Sequence, residues 1–154
     1  YVRLAIFIDS GKMDEVVNDI YNKCLLEMQC YTMFDYIRLL DTRIQRMQGS
    51  DGAKVRKMNF GMAIMALKAG YPIRRSGWNG KGLMVFKQVP AHIDSDIIPK
   101  MQSLPQSAKD LILKGKGFID YTSQCLIYNE NTGRADSWVP SISDVFAEDW
   151  EIVE

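Results

Sequence analysis

The feature that most constrains this chain is a change of hydrophobic period at Gly49-Ser50-Asp51-Gly52. Before that break, apolar residues recur at helical spacing. Met13, Val17, Ile20, Cys24 and Met28 form one stripe, and Met33, Ile37, Leu40, Ile44 and Met47 form another in steps of four and three. Thr32, followed three residues later by Asp35, resembles an N-cap with its capping-box partner. The spacing therefore predicts an αα-hairpin with helices over about 12–29 and 33–48. Ahead of it, Val2 to Ile8 is apolar and β-branched enough to read as a strand, closed by Asp9, Ser10 and Gly11.

After the break the pattern becomes mixed. Asn59 can cap a short helix that buries Phe60, Ala63, Ile64 and Leu67; Gly70 ends it and Pro72 prevents its continuation. Ile73 to Trp78 and Gly82 to Val89 read as strands joined by Asn79-Gly80, a pair that tolerates positive φ. The pattern loosens from Pro90 to Gly117, with room for a short helix from Ser103-Leu104-Pro105 to Gly115. Phe118 to Tyr128 and Arg134 to Val139 read as further strands. Ser141 with Asp144 looks like a capped helix start, and Trp150, Ile152 and Val153 like a closing strand. The expected fold class is α+β: an N-terminal helical hairpin, residues 1–57, followed by a mostly antiparallel β-sheet domain with short helices, residues 58–154.

Composition narrows the chemistry. Lysine plus arginine and aspartate plus glutamate each number 19, a zero balance that argues against bulk attraction to DNA, RNA or an anionic membrane. No apolar run approaches the roughly 20 residues of a membrane span. Three cysteines, Cys24, Cys30 and Cys125, show no Cys-x-x-Cys spacing, and this suits a reduced cytoplasm. With a single histidine, His92, a His/Cys metal site or a serine triad has little to draw on, so neither a metal nor a cofactor is expected.

Two segments could carry chemistry. In Arg74-Arg75-Ser76-Gly77-Trp78-Asn79-Gly80-Lys81-Gly82, the indole offers a stacking face for a base, the arginines can grip a phosphate, and the glycines admit a ligand to the backbone. The bland alternative is a hairpin with a half-buried tryptophan and solvated arginines. The second is Trp138-Val139-Pro140-Ser141-Ile142-Ser143-Asp144, followed by Ala147-Glu148-Asp149-Trp150. Ser141 at a helix start would leave amides free for a phosphate. Asp144 could accept from ribose hydroxyls or simply complete the capping box. Glu148 and Asp149 read either as paired carboxylates for acid–base work or as a solvated turn. Trp150 is expected in the core and His92 on the surface.

Three separated motifs within 58–154 carry a resemblance. They are Met58-Asn59-Phe60-Gly61 with Ala63 and Ala66-Leu67-Lys68-Ala69-Gly70; Arg75-Ser76-Gly77-Trp78-Asn79-Gly80-Lys81-Gly82; and Trp138-Val139-Pro140-Ser141 with Asp144 and Ala147-Glu148-Asp149-Trp150. Together they resemble the Thoeris anti-defence two family of phages and prophages. The resemblance implies a non-catalytic sponge. Such a protein binds a cyclic ADP-ribose-type messenger (glycocyclic ADP-ribose) made by the Thoeris TIR protein and holds it intact in the host cytoplasm. It also implies a homo-oligomer, a tetramer, with pockets between subunits. Carried over position by position, it makes Phe60, Trp78, Asn79, Trp138, Ser141 and Asp144 ligand-binding residues, with Arg74 and Arg75 as charge partners of the pyrophosphate. The alternatives are a sponge for cyclic dinucleotide or trinucleotide signals, a phosphodiesterase using Asp144, Glu148 and Asp149 around a divalent ion, and a protein-interaction module. The stretch from Pro90 to Gly117 is longer than in short relatives, and residues 1–57 lie outside the resemblance.

Overall fold

The computed structural model describes residues 1–55 and 57–154. Its class is α+β, as the period change implies, but the N-terminal helices are laid out differently. Val2–Asp9, the expected strand, is helix α1; Lys12–Val16 is a short helix α2; and Ile20–Met47 is one 28-residue helix α3. A strand at the start would need a neighbour for its amides, whereas a helix satisfies them within itself. Helix α1 lies along α3, with Tyr1 and Phe34 ring centroids 5.6 Å apart. The chain turns at Val17-Asn18-Asp19, where Asp19 accepts from the Tyr21 amide as N-cap of α3. No glycine or proline interrupts 20–47, so nothing stops the helix at Thr32. The Thr32 hydroxyl instead donates to the Met28 carbonyl at 2.8 Å, and Asp35 accepts from Asn59 Nδ2 at 2.7 Å.

Helix α4, Phe60–Lys68, starts where Asn59 predicts it, with Asn59 Oδ1 accepting from the Met62 amide. It covers a five-stranded antiparallel sheet of order β6-β5-β2-β1-β7. The strands are β1 Ile73–Arg75, β2 Leu83–Gln88, β5 Gln124–Asn129, β6 Arg134–Ser137 and β7 Trp150–Ile152. The expected strand over 118–128 divides, because its first part, β4 Ile119–Tyr121, pairs with β3 Ala91–Ile93 in a separate small sheet. Helix α5, Gln106–Lys114, and a 3₁₀ turn, Ile98–Lys100, fill the long insertion between β3 and β4. Met58, Met62, Ala63, Leu67, Ile73, Val85, Ala147 and Trp150 form the buried core.

The connection between β1 and β2 departs from a two-residue hairpin. The register places Ile73 opposite Val85, so the loop spans 76–82 rather than Asn79-Gly80 alone. The cause is Asp149. Its carbonyl takes the Ser76 amide at 3.0 Å and its Oδ2 takes the Gly77 amide at 2.7 Å, pulling the chain off β2 and toward the edge of β7.

Candidate functional site

Trp150 is fully buried and organises the surrounding aromatics. The rings of Trp78, Phe60 and Trp138 lie with centroids 5.5, 5.7 and 6.1 Å from it, the two indoles edge-on. These residues come from the β1–β2 loop, the first turn of α4 and the end of β6, remote segments that only the folded sheet brings together. Trp78, Trp138 and Phe60 remain half-buried, so each leaves part of its ring in reach of a guest.

Asp144 ties this cluster to charge. It sits in the short helix α6, Ile142–Val145, which opens with a complete capping box. Its Oδ2 accepts from the Ser141 amide at 2.9 Å and from the Ser141 hydroxyl at 2.8 Å. Its Oδ1 accepts from Arg75 Nη1 at 3.0 Å and from Trp78 Nε1 at 3.1 Å. The Asp144 carbonyl accepts from Trp150 Nε1 at 3.1 Å. Burial works to raise the Asp144 pKa, but the Ser141, Arg75 and Trp78 hydrogen bonds outweigh it and hold the carboxyl down at about 2. With both oxygens filled, Asp144 orients Trp78 and Arg75 and is not free to accept from a ribose.

Arg75 is shared between two carboxylates: Nε donates to Asp149 Oδ1 at 2.8 Å and Nη1 reaches Asp144. The hydrogen bond to Asp149 raises the guanidinium pKa against the cost of burial. Burial likewise pushes Asp149 up, and the Arg75 and Gly77 hydrogen bonds bring it below its ordinary value. Gly77 is required here, because an added Cβ would stand 2.5 Å from Asp149 Oδ2. Arg74, on the same strand but facing the other way, is paired with Glu151 at 2.6 Å and does not join the cluster. Asn79 is exposed on the loop beside Trp78, and Ser141 is exposed with its hydroxyl committed to Asp144.

An open cleft of about 780 Å³ lies next to the aromatic cluster. Of the sequence-predicted site residues it includes Arg75 and leaves the partly open rings of Trp78 and Trp138 outside its lining. Its lining combines Arg75, Ser76, Glu148 and Asp149 of the sheet domain with Lys54 and Lys57 of the incoming linker. Neither reading of Asp149 from the sequence, a paired carboxylate with Glu148 or part of a solvated turn, anticipates its grip on Arg75 or this cleft. The glycine placed directly after Arg75-Ser76 was the available signal. His92 lies apart on β3, half-exposed between Asp120 at 2.5 Å and Asp94 at 3.2 Å, and the Asp120 hydrogen bond raises its pKa.

The comparisons with known proteins agree with the spread of these motifs. A family model described as Thoeris anti-defense 2-like domain matches residues 58–153, well over half of the chain. The chain belongs to the Thoeris anti-defense 2-like family. Thoeris anti-defense 2 of Bacillus phage SP01 is 34% identical over 102 residues, an alignment that covers 63% of this chain and 96% of the relative. A second family model, described as Sequestin, matches residues 1–46. Every predicted site residue from Phe60 to Asp144 thus falls inside the Thoeris anti-defense 2-like span, whereas Lys54 and Lys57 lie between the two matched segments.

Proposed function

We propose that this protein counters Thoeris defence by binding a cyclic ADP-ribose-type messenger and sequestering it unchanged. The observation that carries the reading is the convergence of two half-buried indoles, Trp78 and Trp138, on Trp150, with Asp144 fixing Trp78 beside Arg75. Exposed ring surface suits an adenine, where base stacking contributes about 1–3 kcal/mol per base. Asn79 offers an uncommitted amide for hydrogen bonds to the base or ribose, and the cleft beside Arg75 is of a size to admit a nucleotide-like guest.

The arrangement favours holding over cleaving. A divalent ion between Asp144 and Asp149 would compete with Arg75, which already occupies the space between them as a cation. A sponge needs sites in numbers that rival its ligand and a dissociation constant below the signalling threshold. Assembly belongs to the same proposal. Val139, Ile142 and Phe146, 82%, 79% and 80% exposed, follow Trp138 closely in sequence and offer apolar side chains that a second copy would cover. Light scattering at micromolar concentration is expected to give a homo-oligomer, in line with the tetramer that the resemblance implies.

To test the reading, protein is mixed with glycocyclic ADP-ribose, separated by filtration and denatured. Recovery of intact messenger from the protein fraction is the expected result; recovery of a linear or hydrolysed product means an enzyme. Trp138→Ala is expected to weaken binding about tenfold or more, measured well below the lowered melting temperature that loss of its packing on Trp150 brings. A calorimetric panel of cyclic ADP-ribose isomers and cyclic dinucleotides distinguishes the messenger class.

A further inference from the structure

We infer that the linker arriving from the N-terminal helices is part of the ligand site: Lys57, which lines the same cleft as Arg75, supplies the second cation for a phosphate group of a nucleotide guest. This deepens the proposed function and rests on it. The cleft has two sides with different histories in the chain. One is the sheet edge, where Arg75, Ser76 and Asp149 are fixed by the hydrogen bonds described above. The other is the linker, whose position is set immediately afterwards by a two-way bridge between Met58 and Trp150. The Met58 amide donates to the Trp150 carbonyl at 3.2 Å, and the Trp150 amide to the Met58 carbonyl at 3.1 Å.

Most charges around the cleft are already paired, and Lys57 stands apart from them. Lys54 is bound to Glu154 at 3.3 Å, and Glu151 to Arg74. Arg75 spends Nε and Nη1 on Asp149 and Asp144, leaving Nη2 with no hydrogen-bond partner among the described residues. Nη2 lies close to Gly77, 3.8 Å from where a Cβ would stand on it. Among the described residues, Lys57 has no ion-pair partner and lines the cleft with its ammonium uncommitted.

Among the described residues, Lys57 is also the one non-glycine residue with a left-handed backbone, φ 56°, a conformation most L-residues avoid. A glycine there would be free of strain, so a lysine in that place points to its side chain as the reason. Two donors lining one cleft, one a flexible ammonium and one the fork of a guanidinium, suit the several oxygens of a phosphate or diphosphate. Glu148, exposed on the same cleft, is an acceptor suited to a ribose hydroxyl or an exocyclic amine.

The test is calorimetry of the full chain against glycocyclic ADP-ribose and against linear ADP-ribose, at low and at physiological salt. Lys57→Gly removes the charge and accepts the left-handed backbone, so it separates the ammonium from the fold. It is expected to bind about tenfold more weakly, with a shallower salt dependence and an unchanged melting temperature. Lys57→Glu is expected to lose about a hundredfold, and Lys57→Arg to stay within about threefold of wild type. If wild type binds the messenger and Lys57→Gly binds it equally well, the linker assignment fails while the sponge reading stands. If wild type binds neither compound, both fail.

Discussion

The two halves of this molecule are stabilised in different ways. Among the described residues up to Lys57, Met13 alone is buried, and the 28-residue α3 buries none of its own. From Met58 onward, a helix, five strands and a capped turn converge on one fully buried tryptophan. Helix α3 keeps an apolar stripe in contact with solvent, with Ile20 82%, Met28 59% and Tyr31 73% exposed. The hydrogen bonds of the first half are mostly local, with Leu39 and Val55 its contacts to the core, while the second half owes its arrangement to contacts between residues far apart in sequence. A site that must hold aromatic rings at fixed angles belongs in the second kind of structure.

Substitutions on either side should expose that contrast. The largest effect is expected from Trp150→Ala, which removes the ring that three others pack on and is predicted to cost about 3–5 kcal/mol in chemical denaturation. Asp144→Asn comes next. The carboxyl is lowered from 3.8 to about 2 in the folded chain, and a shift of that size corresponds to about 2 kcal/mol. Because the folded pKa lies below the unfolded one, this stability is complete above about pH 4 and disappears as pH falls through about 2. Denaturation measured across that interval is expected to fall more steeply for wild type than for Asp144→Asn; parallel curves would separate Asp144 from the acid response. Asn59→Ala, which removes the cap of α4 and the hydrogen bond to Asp35 that joins the halves, is predicted to cost about 1 kcal/mol. Met28→Ala should change stability by less than about 0.5 kcal/mol in the isolated chain. A larger loss that grows with protein concentration would show that the exposed stripe is covered by another molecule.

What the sequence made legible follows the same division. The capping box at Ser141 and Asp144, the Asn59 cap and the burial of Trp150 were readable because each depends on residues close in sequence or on a strong burial preference. The N-terminal strand and the break at Thr32 were misread for a complementary reason. Val2–Asp9 carries residues that serve either state, and no nearby strand offers it a ladder; Thr32-Asp35 looks like a cap, yet no glycine or proline ends the preceding helix. At the candidate site, residue type alone suggested stacking for Trp78 and phosphate binding for Arg75, while Phe60 and Trp138 entered through the family resemblance. Their partners could not. That Arg75 is held by Asp149, and Arg74 diverted to Glu151, depends on the register of β1 against β7, which pairs Arg75 with Trp150 and Arg74 with Glu151. No local pattern encodes that register. Asp144 was recognised as a site residue, but its four hydrogen bonds make it the group that positions the others.

One carboxylate thus closes a helix end with one oxygen and aims an indole with the other. A lineage under pressure to capture a different guest cannot retune the tilt of Trp78 by changing Asp144 without fraying the segment that follows Ser141. On the proposed function, a change of guest preference falls more easily on a neighbour free of such double duty, the exposed Asn79, whose side chain can be exchanged without disturbing the scaffold.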